Sequence, residues 1–198
     1  WLLHNVVLVE VRAYSIENAY SIFETMNDRG LSLNPTEILK GYLLSKIVEN
    51  HPENEEKAEE VNTFWAGRIQ KIKAETESDS ADLDFFRAWL RGKYAESQRL
   101  KKVGSENEDF EIIGTQFHTW VKNNTKRLNL VHPEDYYYFI RSDFDFYSSL
   151  YLHLNYCKKN STQEFNHIYI NEFFTIADSL SYPLYLSPVS KIDDDNTI

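Results

Sequence analysis

The string Met26-Asn27-Asp28-Arg29-Gly30 carries the residue types best suited to chemistry. An amide, a carboxylate and a guanidinium sit in one tight turn, where Arg offers a bidentate fork to a phosphate and Gly lets backbone approach closely. The same string also reads as a helix ending, with Gly30 as a left-handed C′ residue, Arg29 favourable at the helix C-terminus and Asp28 solvated. A second feature is basic. Between Arg87 and Lys102 (RAWLRGKYAESQRLKK) stand Arg87, Arg91, Lys93, Arg99, Lys101 and Lys102, with Glu96 the single acid and with Trp89 and Tyr94 interleaved. Cations among aromatic rings suit single-stranded nucleic acid, although a solvated helix face running into a basic loop gives the same pattern. His153 and Cys157 are four apart on an expected helix and would face one metal ion. No further ligand stands at a recognisable spacing, so a buried cysteine beside a hydrogen-bonded histidine is the simpler reading.

Other patterns are less specific. His118, His132 and His167 form no zinc-binding string, and Asp193 to Asp195 read as an acidic tail. The aromatic run Tyr136 to Phe146 (YYYFIRSDFDF) has rings on all sides of a helix, which implies burial on several sides in a bundle core. There is no Gly-rich phosphate loop, no Gly-x-Ser-x-Gly elbow and no protease Cys-His signature.

These residues must be positioned by helices. Val6 to Val11 (VVLVEV) is short and β-branched and reads as a strand, with no second run of that character to pair with. Its ladder partner is expected outside the chain or in a second copy, so an oligomer stays open. From Ser15 the period turns helical through Ile16, Ala19, Tyr20 and Phe23, up to Gly30. Asn34 then caps a second helix with Pro35 at its first position, Glu37 closing a capping box and Leu39, Tyr42, Leu43 and Ile47 on its apolar stripe. Further helices are expected with Val61, Phe64, Trp65, Ile69 and Ile72 inward, over Leu83 to Tyr94, over Phe110 to Lys126, from His132-Pro133 onward, and over Thr162 to Leu180. Glu75 to Asp82 and Glu96 to Asn107 read as loops, and Ser187 to Ile198 is expected to fray. The fold class is therefore all-α: an irregular multi-helix bundle over 15–186, one terminal strand in 1–14, and a flexible tail over 187–198.

Composition bounds the function. The chain has 198 residues, 42% hydrophobic and 15% aromatic, and a net charge of −10. That charge argues against a surface that grips nucleic acid all over. One cysteine excludes an internal disulfide, and no apolar run or leader-like segment directs the chain to a membrane, so a cytoplasmic protein is expected. The chain starts at Trp1 and its single methionine is Met26, so a preceding segment is expected.

Residues 17–46, ENAYSIFETMNDRGLSLNPTEILKGYLLSK, resemble a segment of the GmrSD family of modification-dependent restriction proteins, which includes many phage-defence proteins. Phe23, Asn27, Arg29, Gly30, Leu33, Pro35, Thr36, Leu39 and Lys40 fall in register with the family pattern, and beyond residue 50 only the helical layout is similar. In such proteins an N-terminal domain with an Asp-Gly-Gln-Gln-Arg motif hydrolyses nucleotide, a helical region follows, and a C-terminal HNH-type nuclease domain cuts DNA. This chain holds neither that motif nor a His-Ile-x-Pro nuclease string; His167-Ile168-Tyr169-Ile170 comes nearest.

The resemblance implies the helical region of a nucleotide-dependent restriction protein, inactive alone. Asn27, Arg29 and Lys40 would complete the phosphate side of a neighbouring nucleotide site, with no role for Asp28. The implied partners are the N-terminal nucleotide domain, a C-terminal nuclease domain and DNA. The implied cofactors, a nucleoside triphosphate and a divalent metal, would belong to the full-length protein and none to this chain. Two other readings stay open: a helical protein-interaction module without nucleotide or DNA function, and a nucleic-acid-binding domain that uses Arg87 to Lys102.

Overall fold

The structure, a computed structural model, describes residues 22, 34–100, 102, 104–160 and 176–193. The expected strand at Val6–Val11 and, but for the helical Ile22, the expected helix from Ser15 to Gly30 lie outside these residues. The described chain is all-helical and packs as an irregular bundle of six rods.

Helix α1 (Pro35–Val48) begins as its sequence dictates. Asn34 is extended, its Oδ1 accepts from the Thr36 amide at 3.0 Å, and Pro35 occupies the first turn, where its missing N–H costs nothing. The expected capping box does not close. Glu37 pairs instead with Lys40 at 2.6 Å, one turn on along the same face. The chain turns at Asn50, in the left-handed region with φ 60°, into a short 3₁₀ turn (Pro52–Asn54). There the buried Asn54 donates to the Ile47 carbonyl at 3.0 Å and so satisfies an end-group of α1.

Helix α2 (Glu55–Thr76) buries Ala58, Val61, Trp65, Ile69 and Ile72, a single stripe at helical spacing. It ends at Glu77, whose φ of 56° breaks the helix, and only 77–80 separate it from α3 (Ala81–Tyr94). The expected loop from Glu75 to Asp82 is thus too long at both ends. A uniformly polar string does not separate a loop from the exposed ends of two helices.

Helix α4 (Asp109–Asn123) starts with a capping box between Glu108 and Glu111 and is kinked at Gln116 (φ −143°, ψ 50°). The longest rod joins α5 (Pro133–Tyr138), a π-helical segment (Phe139–Phe144) and α6 (Asp145–Asn160). The widened turn has a packing reason. At about 100° per residue an α-helix would turn Phe139 and Phe144 away from each other, whereas i→i+5 bonding brings both inward with Ile140, and all three are buried.

The last described helix, α7 (Asp178–Leu186), corrects the expected helix from Thr162 to Leu180. Residues 161–175 lie outside the description, and a helix capped at Ala177 runs past 180 with the buried Leu186 near its end.

The core is a stack of rings. Trp65 lies on Phe144 with centroids 4.5 Å apart and on Phe86 at 5.2 Å, Phe86 lies on Phe117 at 5.3 Å, and Trp89 lies on Phe139 at 5.2 Å. One layer thereby joins α2, α3, α4 and the π segment, and offset stacking adds about 0.5–1.5 kcal/mol per pair to area burial. Helices α3 and α7 cross closely. A Cβ on Gly92 would stand 2.6 Å from the Pro183 carbonyl oxygen, so only glycine fits there. No helix among the described residues is long and apolar enough to cross a membrane.

Candidate functional site

Asn27 and Arg29 lie outside the described residues, and Asn34 is the first residue described after them. Asn34 uses both ends of its amide: Oδ1 caps α1, and Nδ2 donates to Asp82 Oδ2 at 3.0 Å. Asp82 is 1% exposed at the N-terminus of α3, where a carboxylate complements the helix dipole. Its other oxygen lies 3.4 Å from the ammonium of Lys73, which reaches in from the last turn of α2. Thr36 is fully buried beside the cap. The start of α1 is thus tied to α2 and α3 by a buried polar cluster. Lys40, expected with that loop on the phosphate side, sits in the second turn of α1 and pairs with Glu37. Capping and register patterns mark Asn34 and Thr36 in the sequence, whereas Asp82 falls in the polar stretch Glu75–Asp82 and is signalled only as an acid in the first turn of the next helix.

The basic stretch does not form a continuous cationic track. Arg87 donates to Asp84 at 3.2 Å. Arg91, one turn along the same face, donates through Nε to the Phe110 carbonyl at 2.9 Å and lies 4.0 Å over the Phe110 ring. Burial, then the nearby Arg87 charge, depress the Arg91 pKa, and its guanidinium fills the space over Gly114 that a Cβ would need. Lys93 points elsewhere and donates to the carbonyls of Ser187 and Val189, each at 2.9 Å. Tyr147 donates to the same Val189 oxygen, and Lys191 pairs with Asp143 at 2.7 Å. The described part of the segment expected to fray therefore carries these bonds to three helical elements. Arg99 donates through Nε to Ser105 at 3.0 Å, Lys102 is exposed, and Lys101 lies outside the described residues.

Where the connection 95–108 meets α4, a second polar cluster forms. Asp109 accepts from the Trp120 indole at 2.8 Å, from the Glu96 amide at 3.1 Å and from Arg127 at 3.0 Å. Arg127 also donates to the Tyr94 carbonyl at 2.7 Å. Burial pushes the Asp109 carboxyl up, and the hydrogen bonds from Trp120, Glu96 and Arg127 outweigh it, leaving its pKa below the ordinary value. This network clasps the basic loop onto α4, and no spacing rule in the sequence foretold the pairing.

His153 and Cys157 do meet, with Nε2 3.4 Å from Sγ, and Cys157 is fully buried. Among the described residues no three His, Cys, Asp or Glu side chains group as metal ligands do. Half-burial and the charge of Lys122 lower the His118 pKa, which favours its neutral form. A surface hollow of about 480 Å³ opens between the C-terminal end of α1 and the α4–α5 connection, floored by Tyr136. No spacing pattern signals it, because its walls come from two turns that meet only in the fold. No family model, no curated protein and no solved structure matches this chain.

Proposed function

We propose that the chain is the helical region of a GmrSD-like, nucleotide-dependent restriction or phage-defence protein, a region without catalytic activity of its own. The observation that carries this reading is the run 17–46, with Asn27, Arg29, Gly30, Pro35, Thr36 and Lys40 in register with the family string. The anchoring of Asn34 on buried Asp82 supports it, because a loop that completes a neighbouring phosphate site needs a fixed base. In this reading Asn27 and Arg29 contribute the amide and the guanidinium, and nucleotide and divalent metal are bound by the preceding domain. The helical bundle would relay nucleotide state toward a nuclease domain and DNA, in the cytoplasm. The longer polypeptide is then expected to carry an Asp-Gly-Gln-Gln-Arg motif and to hydrolyse nucleoside triphosphate, while residues 1–198 alone do not. Hydrolysis by the isolated chain, or a longer polypeptide without that motif, would remove the reading.

A second reading, a protein-interaction module, is favoured by one observation. Arg87, Arg91, Lys93 and Arg99, four of the six residues of the expected nucleic-acid track, carry intramolecular bonds. A phosphate backbone would have to compete with those partners.

A further inference from the structure

Residues 187–193 (SPVSKID) are held by side chains of the bundle and not by secondary structure of their own. Lys93 of α3 donates to the main-chain carbonyls of Ser187 and Val189, each at 2.9 Å, and Tyr147 of α6 donates to the Val189 carbonyl at 3.2 Å. The Val189 side chain packs half-buried against the core. Two residues on, the Lys191 ammonium sits 2.7 Å from Asp143 and donates to Ser142 at 3.1 Å, both in the π segment. The segment turns on itself at this point: the Asp193 amide donates to the Ser190 carbonyl at 3.0 Å, and the Asp193 carboxylate accepts from the Ser190 amide.

A peptide ligand is read in the same way, with main-chain carbonyls fixing its path and one apolar side chain and one charge fixing its identity. Vacated, the groove would present the ammonium of Lys93, the carboxylate of Asp143 and the hydroxyls of Ser142 and Tyr147. Asp143 would repel a phosphate backbone, whereas a main chain that carries one cation satisfies each of these groups. Burial ties the segment down only lightly: Val189 is its one apolar side chain packed on the core, and Ile192 is 92% exposed. A unit with so little apolar burial opens before the bundle does.

We propose that residues 187–193 are an exchangeable intramolecular ligand. The groove walled by Lys93, Asp143 and Tyr147 takes from a partner polypeptide a short, turn-forming peptide with an apolar residue followed two positions later by a cation. The covalent segment holds the groove at an effective concentration on the order of mM, so it excludes a weak competitor and yields to a partner that adds contacts of its own. This site is independent of Asn27 and Arg29, so either assignment can fail without the other.

Fluorescence anisotropy tests it with a labelled, end-blocked peptide of the sequence Ser-Pro-Val-Ser-Lys-Ile-Asp and the full 198-residue chain. Val189→Asp with Lys191→Glu removes both side-chain contacts of the covalent segment and leaves the residues of the groove as they are. This double variant should bind the peptide at least about tenfold more tightly than the unsubstituted chain, with circular dichroism unchanged. Adding Asp143→Asn should then weaken binding about fivefold, the worth of a part-exposed charge pair, and a peptide with Asp in place of its valine should not bind. Equal affinity of the unsubstituted chain and the double variant would overturn the proposal, as would no binding to the folded double variant or binding indifferent to Asp143→Asn. A double variant that no longer folds would make the segment part of the core and would overturn it too.

Discussion

At the scale of the residue, Asn34 and Asp82 form the most informative pair. Asp is as good an N-cap as Asn, so a cap acting alone would tolerate Asn34→Asp. Here the substitution replaces the amide that donates to a carboxylate only 1% exposed with a second carboxylate. A loss on the order of 1–3 kcal/mol is expected in urea unfolding at neutral pH. Buried tyrosines give a second prediction. Burial, then the charges of Asp143 and Asp193, push the Tyr147 hydroxyl up to about 12, and burial with Asp178 pushes Tyr182 up to about 12. Burial likewise raises Tyr94 and Tyr151. A group whose folded pKa lies above its unfolded value stabilises fully below the unfolded value and loses that contribution as pH rises through the folded one. Stability should therefore fall between about pH 10 and about pH 12, with a shallower slope in Tyr147→Phe in pH-dependent thermal melts.

At the scale of the element, the packing of α3 on α7 is set by one missing methyl group. Gly92→Ala would drive a Cβ to 2.6 Å from a backbone oxygen that cannot rotate away, so destabilisation of about 1–3 kcal/mol is expected by thermal or chemical unfolding. A melting temperature equal to that of the unsubstituted chain would mean that the two helices can separate at no cost. The elements that the sequence announced are those encoded locally. Asn34-Pro35 marks the start of α1, and the stripe from Val61 to Ile72 marks α2, because capping and 3.6-residue periodicity depend on near neighbours. The π segment, the kink at Gln116 and the path of α7 were not announced. The π segment and the path of α7 are decided by what packs against them: Phe144 turning inward onto Trp65, and Pro183 pressed against Gly92.

At the scale of the whole molecule, an aromatic core shared by four helical elements holds two surfaces of different character. One is the Asn34–Asp82 cluster at the start of α1, and the other is the hollow beside Pro133. The first was partly legible, since the loop string and Asn34 are local while Asp82 arrives from 48 residues away. The second was not legible, and the basic stretch that stood out in the sequence is largely occupied in holding Phe110, Ser187 and Val189. A charge run shows where cations are along the chain and not which partners the fold supplies. On the proposed reading, Asn27 and Arg29 serve a nucleotide site in an adjoining domain, and nucleoside triphosphate hydrolysis by the longer polypeptide carrying Arg29→Ala decides it, with Arg87→Ala as a control outside that string. A depressed rate is expected for Arg29→Ala and a near-normal rate for Arg87→Ala, with both proteins folded; an unchanged rate for Arg29→Ala would remove the reading.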